Sequence, residues 1–271
     1  MQLDGGLELR YRECGQGKPV LLLHGLWTSA YTFRFLLDRL ADRLRLILPE
    51  LDMPIAGSEV DLSIQGLAGL VARISDALKL DRPLCAAHAE SGLAGMWLAL
   101  DEPERLAGLI TLGSCTRLPA TDRMRGWRLG RSGATERWAR RAFQQPHKAA
   151  LEMLRYSDPT VICRQELRLL ARGWATLPAA RRRAQVLART LSSSYRRELL
   201  ARLQHRAGSA FPVPLKMVFG KADRRALPEQ GEQLNRLLPG SEYLVADESA
   251  GDVQVEQARW TARVIADAAG A

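Results

Sequence analysis

Arginine is the residue type that gives this sequence its most distinctive chemistry. Between positions 117 and 206 the chain has 21 Lys and Arg residues but only 6 Asp and Glu, a net charge of +15. The whole chain carries +9, so the remaining residues carry −6. Arginine forks bind phosphate and carboxylate groups in pairs, so we expect this segment to face an anionic partner. The alternative is a solvated, arginine-rich surface without a partner.

The basic residues of this segment fall into short clusters. These are Arg123, Arg125 and Arg128; Arg137, Arg140 and Arg141; Arg181, Arg182 and Arg183; and Arg196 and Arg197. Trp127, Trp138, Trp174 and Tyr195 lie between them, and the tryptophans are expected to be buried anchors of small helices rather than stacking platforms.

Cysteine and histidine do not form a metal-binding pattern. The four cysteines, Cys14, Cys85, Cys115 and Cys163, are far apart and form no C-x-x-C pair, which argues against a zinc site or a disulfide framework. We expect no metal and no cofactor. No apolar stretch approaches the roughly 18 residues of a membrane helix, and the N-terminus has no secretory signal pattern. A cytoplasmic location is therefore expected.

Hydrophobic periodicity divides the chain into two kinds of sequence. Over residues 1–116 and 207–271, short apolar runs typical of buried strands alternate with helical spacing. The predicted strands are Leu7–Cys14, Pro19–His24, Leu44–Pro49, Leu84–His88, Leu106–Leu112, Pro214–Phe219 and Glu242–Ala246, and the helices are Tyr31–Arg43, Ile64–Leu80, Ser91–Leu100, Pro228–Leu238 and Val253–Ala268. Residues 117–206 show only helical spacing. The pattern predicts an α/β core with a mostly parallel, doubly wound sheet and an inserted helical, arginine-rich cap at 117–206.

Three stretches of the core carry a family resemblance. They are Leu21–Trp27 (LLLHGLW), Pro49–Ser58 (PELDMPIAGS) and Ala87–Arg105 (AHAESGLAGMWLALDEPER). Together, in this order and spacing, they resemble the α/β-hydrolase superfamily, in its cap-bearing group of esterases, C–C hydrolases and haloalkane dehalogenases. The second stretch departs from the family's P-D-x-x-G-x-G-x-S turn, because Glu50 replaces the usual aspartate and the first glycines are absent.

The resemblance places Ala89 at the position of the catalytic nucleophile. In the family this residue lies on a strained strand–turn–helix elbow with small neighbours, and here the small neighbours are Ala87 and Ser91. A methyl group cannot form an acyl-enzyme or alkyl-enzyme intermediate. If the elbow slipped so that Ser91 became the nucleophile, Leu93 would fill a position that requires a small residue, so we do not favour that register.

The resemblance also indicates the other two members of the triad. Asp223, in Phe219–Asp223 (FGKAD), matches the acid, and Asp252, in the pair Gly251-Asp252, stands where the family has its histidine base. Removing a nucleophile or a base from a triad costs orders of magnitude in rate. His147 and His205 lie in the cap, where a surface role is expected.

Some chemistry remains at such a site. The helix after Ala89 should direct free amides and the positive end of its dipole into the pocket, and with the Leu26 or Trp27 amide this resembles an oxyanion hole near His24. Glu90, Asp223 and Asp252 are candidate general acids or bases. They are alternatively structural remnants, with Glu90 capping the helix, and we favour that interpretation.

Three functions stay open. The favoured one is a non-hydrolytic protein that binds a small acyl or polyketide-like ligand, or an acyl carrier protein through basic cap residues, as related cap-bearing hydrolases of acyl metabolism do. The partner-binding candidates are Arg125, Arg128, Arg137, Arg140, Arg141, Arg181, Arg182 and Arg183. The alternative is a biosynthetic cyclase, lyase, isomerase or dehydratase that uses the carboxylates without a covalent intermediate. A third is an ordinary ester or thioester hydrolase inactivated by a serine-to-alanine change at position 89.

Nucleic acid is a disfavoured partner, since no DNA-reading motif is present, and an anionic lipid surface stays open.

Overall fold

Residues 1–51, 61, 63–117, 133–190 and 194–271 are described in a computed structural model of the chain. A central sheet of seven strands runs through these residues, and a two-stranded hairpin stands apart from it at the N-terminus. The strands are β1 Gln2–Leu3, β2 Leu7–Glu8, β3 Tyr11–Cys14, β4 Lys18–Leu23, β5 Leu44–Pro49, β6 Leu84–His88, β7 Gly108–Leu112, β8 Leu215–Gly220 and β9 Glu242–Ala246.

The central sheet is almost entirely parallel. Its strand order is β3-β5-β4-β6-β7-β8-β9, and only the edge strand β3 pairs antiparallel, with β5. Parallel neighbours require crossover connections, and helices supply them. The carboxyl ends of β4, β6, β7 and β8 therefore meet at one edge of the sheet, where ligands bind in open α/β sheets.

Alternation along each strand divides the core between the two faces of the sheet. Val20 and Leu22 of β4 belong to one buried cluster, which also takes in the N-terminal and C-terminal helices of the core. Leu21 and Leu23 belong to the other cluster, which continues into the helices between residues 133 and 205. Because successive side chains of a strand point to opposite faces, a continuous apolar run such as PVLLL fills both layers at once.

The helices are α1 Arg34–Leu40, α2 Ile64–Ala77, α3 Glu90–Asp101, α4 Ala134–Gln144, α5 Pro146–Leu151, α6 Arg164–Arg172, α7 Leu177–Thr190, α8 Ser194–His205, α9 Pro228–Leu237, α10 Val253–Glu256 and α11 Ala258–Ala269. Short 3₁₀ turns occur at Asp4–Gly6, Ala30–Phe33, Pro103–Arg105 and Pro159–Val161. In the described residues between 117 and 206, all regular secondary structure is helical. Among the described residues, no helix is both long and apolar enough to span a membrane.

The predicted fold class, a mostly parallel doubly wound sheet, is confirmed, while several predicted element boundaries are wrong. The single strand predicted over Leu7–Cys14 is two strands that belong to different sheets. The single closing helix predicted over Val253–Ala268 is interrupted at Gln257, whose φ of −123° and ψ of 44° are not helical. The division into core and cap at 117 and 206 stays a prediction. Most of the PELDMPIAGS turn, from residue 52 onward, lies outside the described residues.

Candidate functional site

The turn between β6 and α3 has the geometry of a strained elbow. Ala89, between His88 at the end of β6 and Glu90 at the start of α3, has φ 51° and ψ −120°, a region that non-glycine residues occupy only at a cost of about 1–3 kcal/mol. Its amide is fixed by a 2.9 Å hydrogen bond to the carbonyl of Leu112 on β7. The elbow side chain is partly exposed, so a methyl group is what this turn offers to the site.

Ser91 does not lie at the tip of the elbow. It is inside the first turn of α3, is almost completely buried, and donates its Oγ hydrogen to the carbonyl of His24 at 2.6 Å. The next residue, Gly92, leaves room for Ser114, because a Cβ there would lie 2.0 Å from Ser114 Oγ. The hydroxyl of Ser91 therefore ties the elbow helix to the end of β4.

His24 shapes the turn after β4 and does not line the site. Its side chain is fully buried, Nε2 accepts from the Leu51 amide at 2.9 Å, and Nδ1 therefore donates to the Gly25 carbonyl at 2.8 Å. The place of His24 near an oxyanion hole stays a prediction, and its side chain is not exposed to the site. Leu26 and Trp27 are buried as well, so only their amides, with the free first-turn amides of α3, remain as oxyanion-hole candidates.

Arg155 occupies the space beside the elbow. It comes from the segment between α5 and α6, and Nη1 donates to Asp223 Oδ2 at 3.1 Å. Nη2 lies 2.8 Å from Nε2 of His88 and donates to the carbonyls of Gly113 at 3.2 Å and Gly251 at 3.4 Å. A guanidinium has no acceptor, so Nη2 can only donate to Nε2 of His88, and the same nitrogen also lies 3.1 Å from the Gly251 carbonyl oxygen.

Two glycines make the slot that holds this guanidinium. A Cβ at Gly251 would lie 2.6 Å from Arg155 Cζ and 2.8 Å from Asp223 Oδ2. A Cβ at Gly113, which has φ 55°, would lie 2.6 Å from the Gly251 carbonyl oxygen and 3.1 Å from Arg155 Nη2. The ends of β7 and of the loop after β9 are therefore fitted to an arginine side chain.

Asp252 anchors the backbone that carries Arg155. Oδ2 accepts from the Arg155 amide at 2.8 Å and Oδ1 accepts from Gln254 Nε2 at 3.3 Å, while Oδ1 lies 3.4 Å from His88 Nε2. In return, the Arg155 carbonyl accepts from the amides of Gly251 at 2.8 Å and Asp252 at 3.3 Å. The carboxylate of Asp252 thus fastens the segment between α5 and α6 to the loop after β9.

Glu256, at the end of the short helix α10, accepts further hydrogen bonds from the same segment. Oε1 accepts from the amides of Ser157 at 2.6 Å and Asp158 at 3.2 Å, and Oε2 accepts from the Ala250 amide at 2.7 Å. We call residues 155–158 the strap, and it is held to residues 249–256 through both backbone and side-chain groups.

Both carboxylate oxygens of Asp223 also accept hydrogen bonds. Oδ1 accepts from the amides of Arg225 at 2.8 Å and Ala226 at 3.1 Å, which leaves Oδ2 for Arg155. Burial alone would lower the pKa of the Arg155 guanidinium, but the carboxylates of Asp223 and Asp252 outweigh it and hold that pKa above its ordinary value. Arg155 is therefore a permanent cation and cannot act as a base.

The neighbours of Arg155 respond to burial and to its charge. Burial, reinforced by the Arg155 cation, lowers the pKa of His88 to about 3, so the imidazole is neutral near pH 7. Burial raises the pKa of Asp252, and Arg155 opposes that rise.

Glu90 lies on the other side of the elbow and faces a second buried arginine of the cap. Arg196 of α8 lies 3.5 Å from Glu90 Oε1 through Nη2, and its Nε donates to the Cys115 carbonyl at 3.0 Å. Glu90 does not cap α3, because no side-chain cap hydrogen bond is present at that N-terminus.

The arginines predicted to bind a partner have different environments. Arg137, Arg140 and Arg141 are exposed on α4, and Arg182 is half-buried. Arg181 pairs with Glu136 through two hydrogen bonds of 2.8 Å, and Arg140 contacts the same carboxylate at 2.8 Å.

Arg183 lies inside the cap, so its predicted place on a partner-binding surface is wrong. Its guanidinium is 5.2 Å from the ring centre of Trp174, which is itself a buried anchor, and fills the space above Gly173. Arg125 and Arg128 lie outside the described residues.

Sequence reasoning missed Arg155 and the strap. Asp223 meets the guanidinium of Arg155 and Asp252 meets its backbone amide, so both candidates converge on one residue, while Glu90 pairs elsewhere. Arg155 stands in an ordinary cap sequence, LRYSD, and nothing in its surroundings marks it. The one available signal was the pair Gly251-Asp252, since an acidic base position calls for a positive partner.

Comparison with known proteins identifies the family to which this fold belongs. A family model described as alpha/beta hydrolase fold matches residues 18–258. A pimeloyl-[acyl-carrier protein] methyl ester esterase of Yersinia pseudotuberculosis is 31% identical over 120 residues, 44% of this chain and 45% of that protein. The match thus spans less than half the length of that relative.

Solved structures agree at the level of the fold. A thermophilic esterase from Thermogutta terrifontis superposes with a TM-score of 0.74 at 21% identity, covering 97% of this chain and 94% of that one. An enol-lactonase from Burkholderia xenovorans LB400 gives 0.74 at 17% identity, covering 98% of each chain. The family model matches most of this chain, and these solved structures share its fold. The chain therefore belongs to the α/β-hydrolase family.

Proposed function

We propose that this protein is a catalytically silent α/β-hydrolase that binds a small acyl or polyketide-like ligand without hydrolysing it. The observation that carries the proposal is the pairing of a methyl group at the elbow with an arginine between the two carboxylates. Ala89 supplies no attacking atom, and Arg155 fills the slot between Asp223 and the Gly251-Asp252 loop. Hydrolysis by this family's route needs a nucleophile and a neutral base in contact, and neither is present at these positions.

The alternative use of the carboxylates in acid–base chemistry finds less support. A general base must come within hydrogen-bond reach of the proton it takes. Asp252 is completely buried, and both of its oxygens have partners. Asp223 is 4% exposed and accepts from two amides and Arg155.

A second candidate role is docking of an acyl carrier protein. It is favoured by the net charge of +15 on residues 117–206, and by the partial match to an esterase whose name specifies an acyl-carrier-protein substrate. The two roles are compatible, since a carrier presents its acyl group as a small ligand.

The test compares the natural protein with Ala89→Ser. Purified protein is incubated with p-nitrophenyl esters, with a fluorophosphonate probe, and with a short acyl thioester that is followed by mass spectrometry. We expect no ester turnover, no covalent label and an unchanged thioester for both proteins, because serine at position 89 still lacks a base. The triple variant Ala89→Ser/Arg155→Ala/Asp252→His is the matched control that restores the missing groups and clears the slot.

The outcomes separate the alternatives. Labelling of the natural protein would overturn the proposal. Strong labelling of Ala89→Ser alone would show that a base exists and that a serine hydrolase lost only its nucleophile. Thioester conversion to a non-hydrolysed product would favour the acid–base alternative.

A further inference from the structure

The exposed face of α6 carries a ladder of arginines. Arg164, Arg168 and Arg172 are four residues apart and all three are exposed. Positions i, i+4 and i+8 share a helix face, and each step of four residues advances about 6 Å along the axis. We call these three residues the α6 ladder. It was not among the arginine clusters of the sequence.

Several other arginines of residues 117–206 have acidic partners, whereas the ladder arginines have none among the described residues. Arg181 and Arg140 pair with Glu136, Arg202 pairs with Asp101, and Arg196 lies against Glu90. Within the part of the chain that the structure describes, no carboxylate lies within ion-pair distance of the three ladder side chains. All three side chains are exposed, so another molecule can reach them.

The ladder also imposes a local cost on α6. Like charges at i and i+4 destabilise a helix by about 0.2–0.5 kcal/mol per pair. Arg164 is the first residue of the helix, where the positive end of the helix dipole disfavours a cation. A partner with a matching row of negative charges would remove both penalties.

The face opposite the ladder is firmly held, so the ladder is presented on a fixed helix. Glu166 is buried and accepts from Arg34 of α1 through two bonds of 3.2 Å. Tyr156 of the strap donates to Glu166 Oε1 at 2.6 Å. The helix is therefore fastened both to the core and to the segment that carries Arg155.

We infer that the α6 ladder is the docking surface for an acidic helix of a partner protein. A helix with Glu or Asp at i, i+4 and i+8 repeats its charge at the same interval of about 6 Å, so each arginine meets one carboxylate as a two-pronged pair. This deepens the carrier role proposed above and rests on it for the partner's identity, because an acidic helix on a carrier protein would bring an acyl group beside the strap.

The experiment measures binding of the full chain to two probes by fluorescence anisotropy at low ionic strength. The first probe is an alanine-rich helical peptide with glutamates at i, i+4 and i+8, and the second is purified apo acyl carrier protein. A peptide with the same composition and its glutamates spread around the helix is the spacing control. The charge-reversal variant Arg164→Glu/Arg168→Glu/Arg172→Glu is compared with Arg137→Glu/Arg140→Glu/Arg141→Glu, which changes the net charge equally. Folding of both variants is checked by circular dichroism.

We expect the ladder variant to weaken binding of both probes about tenfold or more, with a much smaller loss in the α4 variant and with weaker binding at high salt. Peptide binding that depends on the ladder, without carrier binding, would keep the docking surface and overturn the carrier role. Carrier binding that both variants weaken equally would overturn the ladder and keep the carrier role. Failure of the peptide to bind, or ladder-dependent binding to phosphatidylglycerol vesicles alone, would overturn the ladder.

Discussion

The strained elbow at Ala89 and the loop that carries Gly251 and Asp252 differ in what their side chains do. The elbow keeps its strained backbone, with φ 51° at Ala89, although no reactive atom is there to justify the strain. The loop with Gly251 and Asp252, here called the base loop, has a structural role, since Asp252 and Glu256 fasten the strap and Gly251 makes room for Arg155. One region has a strained turn without a reactive atom, and the other has a buried carboxylate that anchors a neighbouring segment.

The difference follows from how each region is supported. The elbow is fixed by the sheet and by α3, through the Ala89 amide and the Ser91 hydroxyl, so its geometry survives a change of side chain. The base loop ends in a buried carboxylate, and a buried charge must find a partner. Arg155 is that partner, since its backbone amide donates to Asp252 while its guanidinium pairs with Asp223.

The variant with the largest expected effect removes the positive charge of Arg155, beside the base loop. We expect Arg155→Ala to lower the free energy of unfolding by about 3–5 kcal/mol, because the buried Asp223 would lose its ion-pair partner and Asp252 would lose a nearby positive charge. Urea unfolding followed by circular dichroism measures it. Arg141→Ala, an exposed arginine, is the control and should change the value by under about 0.5 kcal/mol. Equal, small losses in both variants would mean that Arg155 is not the counterion of the site.

A smaller effect is expected from closing the slot while leaving every charge in place. Gly251→Ala should cost about 1–3 kcal/mol, since its Cβ would meet the Arg155 guanidinium at 2.6 Å. The matched control is Gly69→Ala in α2, where a Cβ meets no atom within 4 Å and alanine should stabilise by up to about 1 kcal/mol. Unfolding curves that coincide for the two variants would contradict a fitted slot.

The smallest effect concerns the elbow. Ala89→Gly should leave stability unchanged or raise it by up to about 1 kcal/mol, because glycine adopts the elbow conformation without a Cβ penalty. Ala94→Gly in α3 is the control, and it should destabilise by about 1 kcal/mol as glycine does in helix interiors. Thermal and urea unfolding check both, and a clear loss at position 89 would show that its methyl group is needed for packing.

The sequence predicted the core well for a physical reason. Apolar runs such as Pro19–His24 and Leu84–His88 can be satisfied only between two layers, so the parallel sheet follows from them. Element ends were predicted less accurately. The closing helix breaks at Gln257, and Tyr31–Arg43 is a 3₁₀ turn followed by the shorter helix α1. Such ends depend on contacts from other parts of the chain.

By itself, the sequence determined the fold, the methyl group at position 89 and the acidic residue at position 252, because local pattern and order along the chain carry that information. Only the tertiary structure decided what stands between them. Arg155 lies 67 residues from His88 along the chain, yet its guanidinium is 2.8 Å from that imidazole. Burial turns such a meeting into a requirement, since carboxylates removed from water need a cation, and no periodicity in the sequence records which of the many arginines supplies it.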